Sequence, residues 1–476
     1  MSILITIFGF VRRAAVALSF VAAGVQGQVV AQTRENLLAP YLVAPGDDFL
    51  INGVMIPGFE DDTGRVPRDI LFLNGRIAGL GAAGTLAAPD HVLRIDGRGK
   101  SLLPGLVGMH NHLHMPGAPS MGDVAARLYL ASGVTTIQTA GSADPIGELR
   151  LAREIERGTV PGPRILASAP YITGPGGNAP MDKPADAEAA RRFVDEWADR
   201  GVSTIKLYRH TDSDIAAIII DQAHKRGLRV TGHLCSITYA EAAEMGIDGL
   251  EHGLHPASDM VPDKPRGVCV PSLDAKAAMD IDDPQIRSLI ETLVSKGVEL
   301  TSTLAILESR FPHRPQADER ALKLLAPQLA DAARARTKAM NESAATPSTD
   351  PAYWSLLTAF ERRFVEAGGR LLAGPDTGRH VLPGLGDQRN FELLREAGFS
   401  TSQTIAIMSL NGARALGLDD EIGRIEPGYR ADLVLVVGDI EADPAAIRNI
   451  EIVFKAGRAY DPKRLTDGLE GRVGLP

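Results

Sequence analysis

The chain has 476 residues, with 50 Lys and Arg set against 59 Asp and Glu for a formal charge of −9. That length suits two or three average domains or one large α/β barrel with attachments. The charge is spread without long runs of one sign, which excludes nucleic acid as a partner. Cys235 and Cys269 are the only cysteines, so a cysteine-ligated zinc site is excluded and stability has to come from a packed core.

The N-terminal stretch "MSILITIFGFVRRAAVALSFVAAGVQGQVVAQ" carries an arginine pair, a short apolar run and then small residues. It resembles a cleaved secretory signal over residues 1–31, and the run from Ala14 to Gly24 is too short to span a bilayer comfortably. A periplasmic or secreted protein is expected, with no membrane association once the signal is removed. In such an oxidising compartment Cys235 and Cys269 could pair.

Residues 48–100 hold the strand-like runs "FLINGVMI", "DILFLNGRIAGLG" and "HVLRIDGRG", separated by Gly, Asp and Pro, which predicts a small antiparallel β unit. The same texture returns over 420–465 in "GRIEPGYRADLVLVVGD" and "IEIVFKAGRAYD". The two stretches predict one small β-sandwich domain built from both chain ends. Between them, residues 101–419 alternate apolar β-rich runs with helix-length amphipathic segments, the pattern of repeated β/α units. The eight strand candidates are "SLLPGLVGMH", "GVTTIQTA", "RILASA", "VSTIKLY", "LRVTGH", "IDGLEH", "VELTST" and "RLLAGPD". They predict an α/β fold of the (β/α)8 TIM-barrel type, with an insertion at about 304–363 after the seventh strand, placed to overhang the mouth.

Polar residues collect at one end of these strands. His110 and His112 end the first, Lys206 lies in the fourth, His233 and His252 end the fifth and sixth, and Asp376 follows the eighth. This is the face on which such barrels build their sites. A histidine at a strand end, a lysine between apolar neighbours and an aspartate in a Gly-Pro turn are each ordinary alone; six on one face indicate a metal site. Alternation puts His110, His112 and His114 on one side of the strand, so it does not choose two of the three.

The ordered set "LLPGLVGMHNH", "STIKLY", "VTGH", "GLEHG", "LLAGPDTG" and "SLNGARALGLDDEIGRIEPGYRADLVLV" resembles the metal-dependent amidohydrolase superfamily. Within it the chain is similar to the branch of imidazolonepropionase-like proteins and prolidase-like carboxypeptidases. The resemblance runs from about Asp48 to Asp461. It places the first ligand pair directly after Pro-Gly-Leu, at His110 and His112, and leaves His114 outside. Gly108 stands where the family usually has Asp, and Asn178 where many relatives have His.

The resemblance implies two divalent metal ions, with zinc the expected identity. His110, His112 and Asp376 would hold one, His233 and His252 the other, and a carboxylated Lys206 would lie between them. It also implies hydrolysis of the C–N bond of a small amide, such as an N-acyl amino acid or a dipeptide, by a bridging water whose proton passes to Asp376. Tyr171, Tyr208, His255 and His380 are candidates for gripping substrate, and Arg310 and Arg314 for pairing with a substrate carboxylate. A homo-oligomer is expected. The competing readings are a mononuclear hydrolase of a cyclic amide or imidazolone, an ester or lactone hydrolase, and a non-catalytic barrel scaffold.

Overall fold

In a computed structural model of the chain, the described residues are 37–58, 66–114, 121–178, 180–312, 314, 318–344 and 346–475. The signal expected over 1–31 lies outside them. No helix among the described residues is long and apolar enough to cross a membrane.

The first strands are β1 (Phe49–Val54), β2 (Arg68–Leu73), β3 (Arg76–Ala82) and β4 (Leu93–Asp96). They form a sheet in the order β3-β2-β1-β4. β1 pairs antiparallel with β2 but parallel with β4, so the unit is mixed rather than wholly antiparallel. The expected first barrel strand is two strands, β5 (Lys100–Pro104) and β6 (Leu106–Asn111). The break falls at Pro104-Gly105. A Cβ on Gly105 would lie 2.2 Å from Thr135 Oγ1, so only glycine lets the chain turn this close to its neighbour.

β6 runs parallel to β7 (Val134–Thr139), which runs parallel to β8 (Arg164–Leu166). A second parallel sheet contains β9 (Ser168–Ile172), β10 (Thr204–Leu207), β11 (Arg229–Gly232), β12 (Gly249–Glu251), β13 (Glu299–Ser302) and β14 (Leu371–Ala373) in that order. Ala167 alone separates β8 from β9. At the other edge the Asp376 amide donates to His110 O at 3.0 Å, and a Cβ on Gly374 would sit 2.3 Å from His110 N. β6, β7, β10, β12, β13 and β14 are buried along their whole lengths, as expected of parallel strands covered on both faces.

Helices follow the strands with strong start signals. Asp144, Asp186 and Asp212 accept backbone N–H groups at the starts of Pro145–Glu156, Ala187–Arg200 and Ser213–Lys225, which satisfies donors the helix leaves unpaired. At the strands' N-terminal ends Glu299 receives Arg229 at 2.6 Å and Arg370 at 2.7 Å. That end is closed by ion pairs, and the opposite end is left for the site.

β15 (Leu433–Val437), β16 (Ile450–Lys455) and β17 (Arg458–Tyr460) join β5 in a second four-stranded sheet. One face of it meets β1–β3 through Leu102, Leu433, Leu435, Ile452 and Phe454, with Phe454 edge-on to Phe49 and Phe72 at 5.7 and 5.0 Å. The other face contributes Val434 and Val436 to the main core.

The insertion forms Leu304–Glu308, Glu319–Leu324, Pro327–Glu342 and Pro351–Glu366. Its first helix and Arg310 reach the mouth of the strands, but Leu325 bridges to Val473 at the C-terminus. Among the described residues of the insertion, Ile306, Leu307 and Arg310 line the mouth. Cys235 and Cys269 are joined in a disulfide.

Replacing Gly374 with Ala tests the β14–β6 seam. The methyl would press on His110 N at 2.3 Å and His110 Cα at 2.7 Å, so denaturant unfolding is expected to show a loss of about 1–3 kcal/mol. An unchanged midpoint would mean that the seam opens freely.

Candidate metal centre

His110, His112 and Asp376 converge beyond the C-terminal ends of β6 and β14, with one ligand atom from each lying within 4.8 Å of the others. His112 Nε2 is 3.1 Å from Asp376 Oδ1, and His110 Nε2 is 3.5 Å from the same oxygen. Asp376 Oδ2 is 3.7 Å from His252 Nδ1. The His252 ring lies 4.6 Å from those of both His110 and His233, which brings the second pair alongside the first. Lys206 is buried between them, its Nζ 2.8 Å from Glu251 Oε1.

Backbone conformation helps to aim these groups. His252 and Asp376 have φ of 67° and 50°, a left-handed region that costs energy for residues other than glycine and is kept where the surroundings enforce it. Each sits just past a strand end, where the chain turns out and the side chain turns back.

Burial favours neutral imidazoles, the form that binds a metal. It lowers His112, brings His233 down to about 3 and holds His252 well below the usual histidine range. His110 differs: burial opposes its charge, but Glu251 and Asp376 outweigh that and raise its pKa. Its Nδ1 is 2.6 Å from Glu251 Oε2, a contact that fixes which nitrogen faces the site. Burial likewise opposes the charge on Asp376, yet His110 and His112 hold the carboxylate ionised. Lys206 is lowered by burial.

Glu251 is the functional residue that sequence spacing missed. It is fully buried and bridges Lys206 and His110. Burial disfavours its charge, but Lys206 and His110 hold it well below the usual carboxylate range. Its signal was an acid inside the apolar run "GLEHG", since a buried carboxylate without partners is not tolerated.

These groups line a cavity of about 800 Å³. Tyr171 OH lies 3.3 Å from His112 Nδ1 and 3.3 Å from His114 Nε2, and the His114 ring packs on that of His112 at 5.1 Å on the same cavity wall. Tyr208, His255, Arg310 and Asn178 line the cavity as well, and His255 Nδ1 contacts Tyr353 OH at 3.3 Å. Two expected substrate contacts lie elsewhere. His380 lines a separate cavity of about 270 Å³. Arg314 is held by Glu308 at 2.9 Å and Glu396 at 2.6 Å and stacks over Trp354 at 4.4 Å, partners that leave its guanidinium committed.

A Cβ on Gly108 would meet Asn111 Oδ1 at 2.2 Å, and Asn111 Nδ2 donates to Asp387 at 3.3 Å. The space that a larger residue would fill at position 108 is thus taken by the neighbouring amide, which supports the strand end from the opposite side.

Four imidazoles, one carboxylate and a buried amine, with both thiols tied in a disulfide, suit a borderline divalent cation such as zinc. In the metal-free protein, where Lys206 is unmodified, Glu251→Gln is expected to leave its ammonium buried without a counter-charge. Unfolding should become easier by about 3 kcal/mol, and metal affinity should fall roughly 10–100-fold as His110 loses its orienting partner. Calorimetric unfolding together with a zinc titration checks both; unchanged metal affinity would remove Glu251 from the support of the site.

Known proteins share the family and the fold. A provisionally assigned prolidase from Bifidobacterium longum is similar in structure, with 25% identity, a TM-score of 0.63, and coverage of 89% of this chain and 99% of that one. A bottromycin amidohydrolase (18% identity, TM-score 0.66, 92% and 94% coverage) and a Xaa-Pro dipeptidase with methionine in its active site (18%, 0.61, 87% and 100%) share the fold. A 5-methylthioadenosine/S-adenosylhomocysteine deaminase from Teredinibacter turnerae is 37% identical over 49 residues, which is 10% of this chain and 11% of that protein. Residues 101–460 match the Amidohydrolase family, and the chain belongs to that family.

Proposed function

We propose that the protein is a metal-dependent hydrolase of the C–N bond of a small amide that carries a free carboxylate, such as an N-acyl amino acid or a dipeptide. The observation that carries the reading is the convergence of His110, His112 and Asp376, flanked by His233, His252 and Lys206, at the floor of one cavity. In this proposal β6–β14 form a closed eight-stranded barrel, with β8 and β9 as one interrupted strand, and the two four-stranded sheets from the chain ends pack as a sandwich beside it. Two zinc ions and a carboxylated Lys206 complete the site, and the Lys206–Glu251 ion pair belongs to the metal-free chain. The disulfide fits an exported enzyme, because such bonds persist in oxidising compartments.

The ions, when bound, would acidify a water and polarise the scissile carbonyl. The protein's own groups do the rest. Asp376, ionised and within reach of three imidazoles, takes a proton from the attacking water and passes it to the departing nitrogen. Tyr171 and Tyr208 stand on the wall beside the histidines, and their hydroxyls can orient the carbonyl oxygen and the carboxylate beside the scissile bond. His110 and His252 are held in one orientation by Glu251 and by Thr303 Oγ1, 2.8 Å from His252 Nδ1.

A single-ion site is the second reading, favoured by the close cluster of His110, His112 and Asp376 and by the pairing of Lys206 with Glu251. Cyclic amides and imidazolones are its substrates.

Zinc-loaded protein is expected to hydrolyse N-acyl amino acids and dipeptides, and amidating the substrate carboxylate should cost roughly 1.5–3 kcal/mol in kcat/KM. His112→Asn should abolish turnover. His114→Asn should retain it, since His114 packs beside His112 but is not among the residues whose ligand atoms cluster with Asp376. Turnover of lactones or cyclic amides with none of linear acids would overturn the reading, as would equal losses in two variants that both melt cooperatively.

A further inference from the structure

The mouth of the cavity carries more positive charge than one substrate carboxylate uses. Arg209, after β10, Arg310, in the insertion, and Arg379, after β14, all line it. None has a carboxylate in ion-pair contact among the described residues: Arg209 reaches only Cys269 Sγ at 3.8 Å, and Arg379 reaches Ser309 Oγ at 3.3 Å. Burial is the largest influence on Arg310 and Arg379; beyond it Arg310 feels the repulsion of Arg209, and Arg379 feels that of Arg310 and Arg336 against the attraction of Asp376. Glu308, two residues from Arg310, is turned away to Arg314 and Arg389. The carboxylates that line the cavity are Asp376, already placed among the histidines, and Asp182.

Arg379 adds a second observation. It has φ of 56°, and among the described residues the non-glycine positions with positive φ include only three that line this cavity: His252, Asp376 and Arg379. Two of these are in the metal centre. A long side chain held in that conformation carries a cost that its surroundings must offset, and here the conformation sets a guanidinium at the mouth.

Guanidinium groups kept together without a counter-charge repel one another until an anion fills the space between them. A single carboxylate is satisfied by one guanidinium fork. We propose that Arg209, Arg310 and Arg379 form a second anion subsite, so that the preferred substrate is an amide of an acidic amino acid: one carboxylate beside the scissile bond and a second on the side chain. The half-buried Arg310 is the principal partner, and the exposed Arg209 and Arg379 contribute less because solvent and salt screen them. The subsite deepens the hydrolytic reading and rests on it for the first carboxylate alone.

Calorimetric binding of glutarate and of its monoamide glutaramate to zinc-loaded protein tests the subsite without turnover. The two probes are nearly equal in shape and differ by one charge. Glutarate is expected to bind at least roughly tenfold more tightly, Arg310→Gln to abolish that difference, and Arg379→Gln, at an exposed position, to reduce it. N-acetyl-L-glutamate should be hydrolysed with a kcat/KM higher than that of N-acetyl-L-glutamine by a similar factor. Equal affinity for the two probes would overturn the subsite, and so would a preference that survives in both variants with zinc content intact, because recognition would then lie elsewhere. If glutarate binds preferentially and Arg310→Gln removes the preference while no amide is hydrolysed, the subsite stands and the hydrolytic reading falls.

Discussion

The carboxylate of Glu251 is the constraint on which the site depends. It is buried from solvent at the end of β12, 2.8 Å from Lys206 Nζ on one side and 2.6 Å from His110 Nδ1 on the other. An isolated charge there would be intolerable, and so would an isolated lysine. In the metal-free chain each makes the other possible. Through this pair β10, β12 and β6 are brought to a common centre from three directions, and His110 is left with its Nε2 facing Asp376.

The rest of the molecule keeps that centre open at one end only. Glu299 with Arg229 and Arg370 closes the strands' starting end, while Gly105 and Gly374 allow backbone approaches too close for any side chain. Of the non-glycine residues with positive φ among the described residues, His252, Asp376 and Arg379 sit at the other end, while Asn74, Asp263 and Ala456 lie elsewhere. A left-handed conformation at three residues around one cavity is what a scaffold uses to aim side chains at a site. Lys276, fully buried, donates to His255 O and Ala257 O and so ties the segment after β12 to the helix Leu273–Ala277.

Much of this was legible because the parallel strands are short apolar runs ending in residues that seldom end such runs. Alternation put His110, His112 and His114 on one side of the strand, and the preceding motif pointed to the first two; the ligand atoms of His110 and His112 cluster with Asp376, while His114 packs beside His112. Glu251 was hidden because a carboxylate next to a histidine ligand looks like a polar strand end until its partners are known. Arg310 and Arg314 look alike in sequence, but Phe311 and Trp354 pack edge-to-face at 5.3 Å and Trp354 offers its ring to Arg314, so the two arginines part ways. His380 is separated from Arg379 by one peptide bond and faces a different cavity. Such divergence is set by loop geometry that no residue pattern encodes. The parallel pairing of β4 with β1 was equally out of reach, since alternation fixes a strand's faces and not its direction.

The central claim is that one set of side chains holds two ions through a shared lysine. Counting tightly bound zinc per chain by elemental analysis, in wild type and in Lys206→Met of equal folded content, tests it most directly. The account predicts about two ions in the wild type and about one in the variant, with His110, His112 and Asp376 keeping theirs. One ion in both proteins would contradict it and leave the single-ion site.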